Sequence, residues 1–135
     1  MPDLAVPAAR YILVVEDDPD LRLVHGEVLE EAGHVVRTAA DGFEALELIE
    51  RDGPPVVIVL DLRMPRMSGW DLVDRLRARA EWRDIALVVV AAHYQIGEEA
   101  AALRAQAWLH KPVGIDDLAR VVGRTYDDRI RAMAS

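Results

Sequence analysis

Two hydrophobic patterns alternate along the chain, and this alternation limits the possible folds more than any other feature. Short apolar and β-branched runs at 11–15, 34–38, 56–60, 87–90 and 108–110 read as strands. Each is followed by a stretch at helical spacing. The first of these has Leu21, Val24, Val28 and Ala32 on one expected face, Pro19 in its first turn and Gly33 as a stop. The second, 42–51, follows the candidate N-cap Asp41 and ends before Gly53. The third follows Ser68 and carries Leu72, Val73, Leu76 and Ala80. The fourth, 97–106, is alanine-rich. The fifth begins near 115, uses Leu118, Val121 and Val122, and extends towards Met133. Strands joined through helices run parallel, because a parallel neighbour requires a crossover of about a dozen residues. The expected fold is therefore α/β. It is a flavodoxin-like (βα)5 unit, a doubly wound parallel five-stranded sheet in the order 2-1-3-4-5.

Composition removes several classes of function. The 135 residues suit one domain, and 52% apolar content is enough for a core. No apolar run reaches the roughly 18 residues that span a bilayer. The N-terminus lacks the basic and apolar segments of a secretory signal. With no cysteine, disulfides, thiolate catalysis and cysteine metal sites are excluded. A net charge of -8 makes nucleic acid and anionic lipid poor nonspecific partners. The expected location is the cytoplasm, with neither nucleic acid nor membrane as partner.

The chemistry should lie where the strand order reverses, at the carboxyl ends of the first and third strands. Those ends read Glu16-Asp17-Asp18 and Asp61. A phosphate-cradling fold would place glycines after its first strand, and acids there repel phosphate. Crowded carboxylates also repel one another and need a counter-ion. A hard divalent cation supplies it, and Mg²⁺ takes oxygen ligands and pairs carboxylates with phosphate. Mn²⁺ is an expected substitute. Lys111 follows the last strand at the same sheet edge, where its ammonium can reach towards Asp61. The alternative for each group alone is a solvated strand end.

Three fragments carry a resemblance: Ile12-Leu-Val-Val-Glu-Asp-Asp18, Val57-Ile-Val-Leu-Asp-Leu-Arg-Met-Pro65 with Ser68-Gly69, and Lys111-Pro112. In this order the chain resembles the receiver domain of two-component response regulators, of a stand-alone, single-domain type. The resemblance implies a flexible tail over 1–9, a receiver domain over 10–131 and a C-terminal tail over 132–135. It implies that Asp61 accepts a phosphoryl group and that Asp17 ligates Mg²⁺ directly. Glu16 acts through a bound water, and Arg63 gives its backbone carbonyl to the metal. Lys111 contacts the acceptor carboxylate and then the phosphoryl group, and the Lys111–Pro112 bond is cis. Trp108 is the aromatic that rotates between outward and inward positions. Arg63 and His93 occupy places that modulate phosphoryl loss. The implied donor is a sensor histidine kinase or phosphotransfer protein. The implied downstream partner meets strand 5 and its flanking helices, and a homodimer is a further possibility. Such a domain catalyses its own phosphorylation and slow dephosphorylation without being a classical enzyme.

One position departs from the family. Threonine or serine is usual where Ala91 stands, and no shift of register restores a hydroxyl. The loss weakens the expected switch, and the room left by Ala91 would let Trp108 turn inward before any modification. Tyr94 is a substitute hydroxyl only if it is not a surface aromatic. Two other functions compete. A degenerate receiver would act purely as a binding module. A haloacid-dehalogenase-like phosphatase also uses a strand-end aspartate, but it has a second aspartate two residues on, where this chain has Arg63.

Overall fold

A computed structural model of the chain describes residues 10–92 and 95–134. The 1–9 tail, His93, Tyr94 and Ser135 lie outside the described residues. The elements are β1 Tyr11–Val15, α1 Pro19–Glu31, β2 Val35–Ala39, α2 Gly42–Asp52, β3 Val57–Asp61, α3 Gly69–Arg77, a 3-10 turn Ala80–Trp82, β4 Ala86–Ala91, α4 Ile96–Ala102, β5 Ala107–His110 and α5 Ile115–Met133. All strand pairs are parallel, in the order β2-β1-β3-β4-β5. The flavodoxin-like (βα)5 expectation therefore holds. Among the described residues no helix is long and apolar enough to cross a membrane.

The period of two along each strand divides the interior into two layers. Ile12, Val14, Val57, Val59, Val88 and Val90 face Leu29 of α1 and Leu118 and Val122 of α5. Leu13, Val15, Ile58, Leu60, Leu87 and Val89 face α2, α3 and α4 through Ile49, Leu72, Leu76 and Ile96. Strands β1, β3 and β4 are buried on both faces, which is why they read as continuous apolar runs. Each fully buried leucine or isoleucine contributes about 1.5–3 kcal/mol from area alone.

Side-chain caps begin three helices. Asp18 accepts from the amides of Asp20 and Leu21, Asp41 from Glu44 and Ser68 from Asp71. Gly53, at φ +87, ends α2 as expected.

Several element-level expectations need correction. In α1 the buried residues are His25, Gly26 and Leu29, while Val24 and Ala32 are exposed. Gly26 faces β2, where a Cβ would be in ordinary contact with Thr38 Cγ2 at 3.5 Å. Apolar periodicity, blind to a glycine and a histidine, placed the face one residue away. Ala80 is exposed in the 3-10 turn and takes no part in the buried face of α3. β2 begins at Val35 and α4 stops at Ala102, while α5 reaches Met133 as its pattern expected.

Candidate functional site

The layer rule carries straight into the site. Glu16 lies two residues past Val14, Asp61 two past Val59 and Lys111 two past Leu109, so all three point to the α1/α5 side at the carboxyl edge of the sheet. Lys111 Nζ lies 3.1 Å from Glu16 Oε1 and 3.1 Å from Asp61 Oδ2. Asp17 completes the group: one carboxylate oxygen from each of Glu16, Asp17 and Asp61 falls within 4.8 Å of the others. Glu16 and Asp61 are buried and Asp17 is exposed. Asp18, the third acid of the β1 end, is turned away to cap α1.

Asp61 is held from several directions. Its Oδ1 accepts from the amide of Arg63 at 3.1 Å, and its Oδ2 accepts from Lys111. The loop from β3 to α3 is folded tightly behind it. The amide of Gly69 donates to Leu62 O at 3.0 Å, and a Cβ on Gly69 would come within 2.8 Å of Leu62 Cα and 3.0 Å of Asp61 O. Only glycine fits that approach. The far side of the loop is pinned to α2. Arg66, at φ +67, pairs with the buried Asp41, and Met67 packs over Gly42, whose missing Cβ would sit 2.5 Å from the sulfur. Sequence reasoning had Asp41 only as a cap. Nothing in the sequence links it to Arg66 twenty-five positions on. The β1–α1 turn is tied similarly: the amide of Asp18 donates to Glu16 Oε2 at 3.2 Å, and Arg22 donates to Glu16 O at 2.9 Å.

The electrostatics reflect crowding. Burial raises the Glu16 pKa to about 7, with the charge of Asp61 adding to it and the Asp18 amide and Lys111 opposing it. Burial pulls the Lys111 pKa down, but its hydrogen bonds to Glu16 and Asp61 outweigh burial and leave it raised. His25, buried on α1 behind the site, is held below its ordinary value by burial first and the Lys111 charge second. The donor set fits a hard divalent cation: three carboxylates converge, and among the described residues one cationic side chain, Lys111, bridges two of them.

The switch positions are less conventional. Ala91 is buried at the end of β4 in the same apolar cluster as Leu62 and Ile96, and its carbonyl accepts from the Lys111 amide at 2.9 Å. Trp108, paired with Val89, lies on the same sheet face one pleat back. The inward turn expected from the small Ala91 is not observed. Trp108 is 49% exposed and lies on α4, where a Cβ at Gly97 would be 3.4 Å from the indole. The ring lies against Gly97, outside the buried cluster that holds Ala91. The Lys111–Pro112 bond is cis, as the resemblance implied. The Arg63 side chain is exposed beside Asp61, and the position supplies no second acid. Trp82 is buried beneath the Arg79 guanidinium, 3.8 Å from the ring centre, and Trp70 packs against the core, so neither forms a binding platform.

A family model, the response regulator receiver domain, matches residues 12–123. The chain belongs to this family. Among curated relatives, this receiver is 37% identical over 113 residues to an uncharacterized 14.6 kDa protein of Leptolyngbya boryana, covering 82% of this chain and 86% of the relative. It is 39% identical over 119 residues to the transcriptional regulatory protein PdtaR of Mycobacterium tuberculosis, covering 86% of this chain and 55% of that protein. With the response regulator MprA of Mycobacterium ulcerans the identity is 38% over 109 residues, 79% of this chain and 46% of the relative. The receiver thus spans about half the length of these last two. Of solved structures, the chemotaxis protein CheY4 of Vibrio cholerae superposes with a TM-score of 0.78 at 29% identity, over 87% of this chain and 99% of that one. The receiver domain of NtrX from Brucella abortus gives 0.77 at 29% identity, over 86% and 98%.

Proposed function

We propose that this receiver domain takes a phosphoryl group from a phosphohistidine onto Asp61 and signals the change through protein contacts. The observation that carries the reading is the placement of Lys111 Nζ at 3.1 Å from both Asp61 and Glu16, with Asp17 beside them, at the reversal point of the sheet. An oxygen of Asp61 attacks phosphorus. The P–O bond forms as the P–N bond breaks, and the imidazole leaves with the bonding pair. Burial on β3, the Arg63 amide and the Gly69 turn fix the attacking carboxylate, so little reorganisation is needed. Lys111 is within reach to donate to the oxygens of the incoming group. Glu16, Asp17, Asp61 and the Arg63 carbonyl would hold Mg²⁺, with Mn²⁺ as a substitute. When bound, the ion neutralises charge on the carboxylates and on the phosphoryl oxygens. A histidine kinase or phosphotransfer protein is the donor, and the downstream partner, or a second copy, meets β5, α4 and α5. Cytoplasmic location and single-domain action belong to the same reading.

Intact-mass measurement after incubation with Mg²⁺ and acetyl phosphate tests it. Wild type should gain one phosphoryl mass and Asp61→Asn none. Wild type without adduct overturns the reading. Ala91 favours a second one, a receiver kept only for binding, because its methyl has no hydroxyl to offer the phosphoryl group. That reading predicts no adduct and an unimpaired partner complex. Turnover of ordinary phosphomonoesters would instead point to the phosphatase.

A further inference from the structure

Six of the sixteen Lys and Arg residues of this acidic chain line one groove. Arg77, Arg83, Arg104, Arg120, Arg124 and Arg129 line a single groove of about 990 Å³, where Asp84 and Asp128 supply the opposing carboxylates. The lining residues carry an excess of four positive charges on a chain whose net charge is -8, and one of them, on Arg120, is paired with Asp117 at 2.9 Å. The groove starts at the first residues of β4 and β5, Ala86 and Ala107, and reaches Trp108 and Gly97. It therefore lies away from the carboxylate cluster at the opposite ends of those strands.

Two features mark the groove as more than a solvated surface. The first is Arg104, at φ +57 just beyond α4. Its amide donates to Ala101 O at 3.1 Å and that of Ala105 to Ala100 O at 2.9 Å, which closes the helix in a Schellman turn. Glycine costs least in that conformation, and an arginine costs on the order of 1 kcal/mol more. Arg104 nevertheless occupies it and lays its side chain on the groove. The second feature is charge left uncompensated. Among the described residues the side chains of Arg104, Arg124 and Arg129 have no ion pair or hydrogen bond. Arg77 bonds to backbone carbonyls. Burial lowers its pKa, and the charge of Arg104 adds to that against Asp84, so like charges crowd here.

Arg120 and Arg124, one helical turn apart on α5, face the arginines of α3 and of the loops before β4 and β5. The six come from two helices and two loops that border one long groove, room for a chain segment as well as for a small anion. The lining also includes small apolar surface from the exposed Ala101 and the half-buried Ala105, Ala107 and Val121. Extended nucleic acid would meet the repulsion of the acidic chain beyond the groove.

We propose that this groove docks an acidic, partly apolar segment of a partner protein, with carboxylates on its arginines and small apolar side chains on its alanines. The proposal rests on the reading of β5 and its flanking helices as the partner face, and it names that partner's chemistry. Docking itself needs no phosphoryl group on Asp61, so it is measured without phosphodonor. The probe is a dye-labelled decapeptide of alternating glutamate and leucine, with a glutamine–leucine peptide and a single-stranded oligonucleotide of equal charge as competitors. Fluorescence anisotropy should show saturable binding of the acidic peptide that weakens as salt rises from about 50 to about 500 mM. The glutamine peptide should bind at least about tenfold more weakly. Arg104→Gly, which relieves the backbone, should melt no lower than wild type, and with Arg124→Gln it should lose about tenfold in affinity. The exposed Arg51→Gln, outside the groove, should change nothing. Equal binding by the double variant, equal binding of the glutamine peptide, or tighter binding of the oligonucleotide each overturns the proposal. An absent phosphoryl adduct on Asp61 would leave these results unaffected.

Discussion

At the scale of single residues, the site is a balance between three acids and one ammonium. Lys111→Ala removes the cation that touches both Glu16 and Asp61. Two buried carboxylates are then left facing each other. In chelator the variant should lose about 1–3 kcal/mol in denaturant unfolding, a figure kept low because the lysine is partly exposed. Added Mg²⁺ should stabilise it more than it stabilises wild type, while phosphorylation is lost. A variant that takes up the phosphoryl group at the normal rate would remove Lys111 from the reaction. Asp17 gives the complementary case. It is exposed and makes no packing contribution, so Asp17→Asn should change stability by no more than about 0.5 kcal/mol. Its Mg²⁺-dependent rise in melting temperature and its phosphorylation should both fall. Unchanged Mg²⁺ affinity would take Asp17 out of the metal set.

At the scale of elements, the β3–α3 connection and the β4–β5 pair decide what Asp61 can do and whether anything responds. Gly69→Ala pushes a methyl against Leu62 Cα and the Asp61 carbonyl, a cost of about 1–3 kcal/mol. Ser68→Ala, next to it, removes only the α3 cap, at about 1 kcal/mol. Compared at temperatures of equal folded fraction, Gly69→Ala should be phosphorylated far more slowly than Ser68→Ala. Equal rates would mean that the loop does not position the acceptor. The β4–β5 pair carries the weak point. A hydrogen bond to a charged group is worth about 1.5–3 kcal/mol, and Ala91 cannot give it. Phosphorylation shifts an equilibrium only through contacts that differ between its two states. Trp108 is outward and exposed, so in a Trp70→Phe, Trp82→Phe background its fluorescence should change little on phosphorylation. Ala91→Thr should enlarge that change. A large response with Ala91 in place would mean that another route carries the signal.

For the whole molecule, two buried groups tilt stability against pH in opposite directions. Burial pushes the Glu16 pKa up from 4.5 to about 7, so the folded state holds the extra proton. Its contribution is complete below 4.5 and is lost as pH rises through 7. His25 is lowered from 6.5, so the unfolded chain holds the extra proton. Its contribution is complete above 6.5 and is lost as pH falls through the folded value. Glu16→Gln should therefore flatten the decline towards neutral and alkaline pH, and His25→Leu the decline on the acid side, both read by denaturant midpoints across the range. Midpoints of Glu16→Gln that still fall from pH 5 to 8 as in wild type would show that Glu16 is ionised throughout. Bound Mg²⁺ should stabilise the fold by mass action and more strongly at pH 8 than at pH 6, because it takes Glu16 ionised.

The alternation of strand and helix patterns determined the sheet and its order, because doubly apolar short runs have few places to go except a parallel sheet covered on both faces. The same period of two put Glu16, Asp61 and Lys111 on one side once the strand ends were known, which is why the acids and the lysine were legible from local spacing. Tertiary structure decided what depends on contacts between distant segments. The Arg66–Asp41 pair and the Met67–Gly42 packing join positions twenty-five residues apart, and neither type pairing nor periodicity encodes such a contact. The buried face of α1 holds His25 and Gly26 beside Leu29, residue types that an apolar count cannot register. The outward Trp108 packs on Gly97 of α4, a contact between segments that the small Ala91 in the sequence did not signal. The arginine groove belongs to the same class. Its members lie on two helices and two loops, each unremarkable alone, and only the closing of the fold sets their charges side by side.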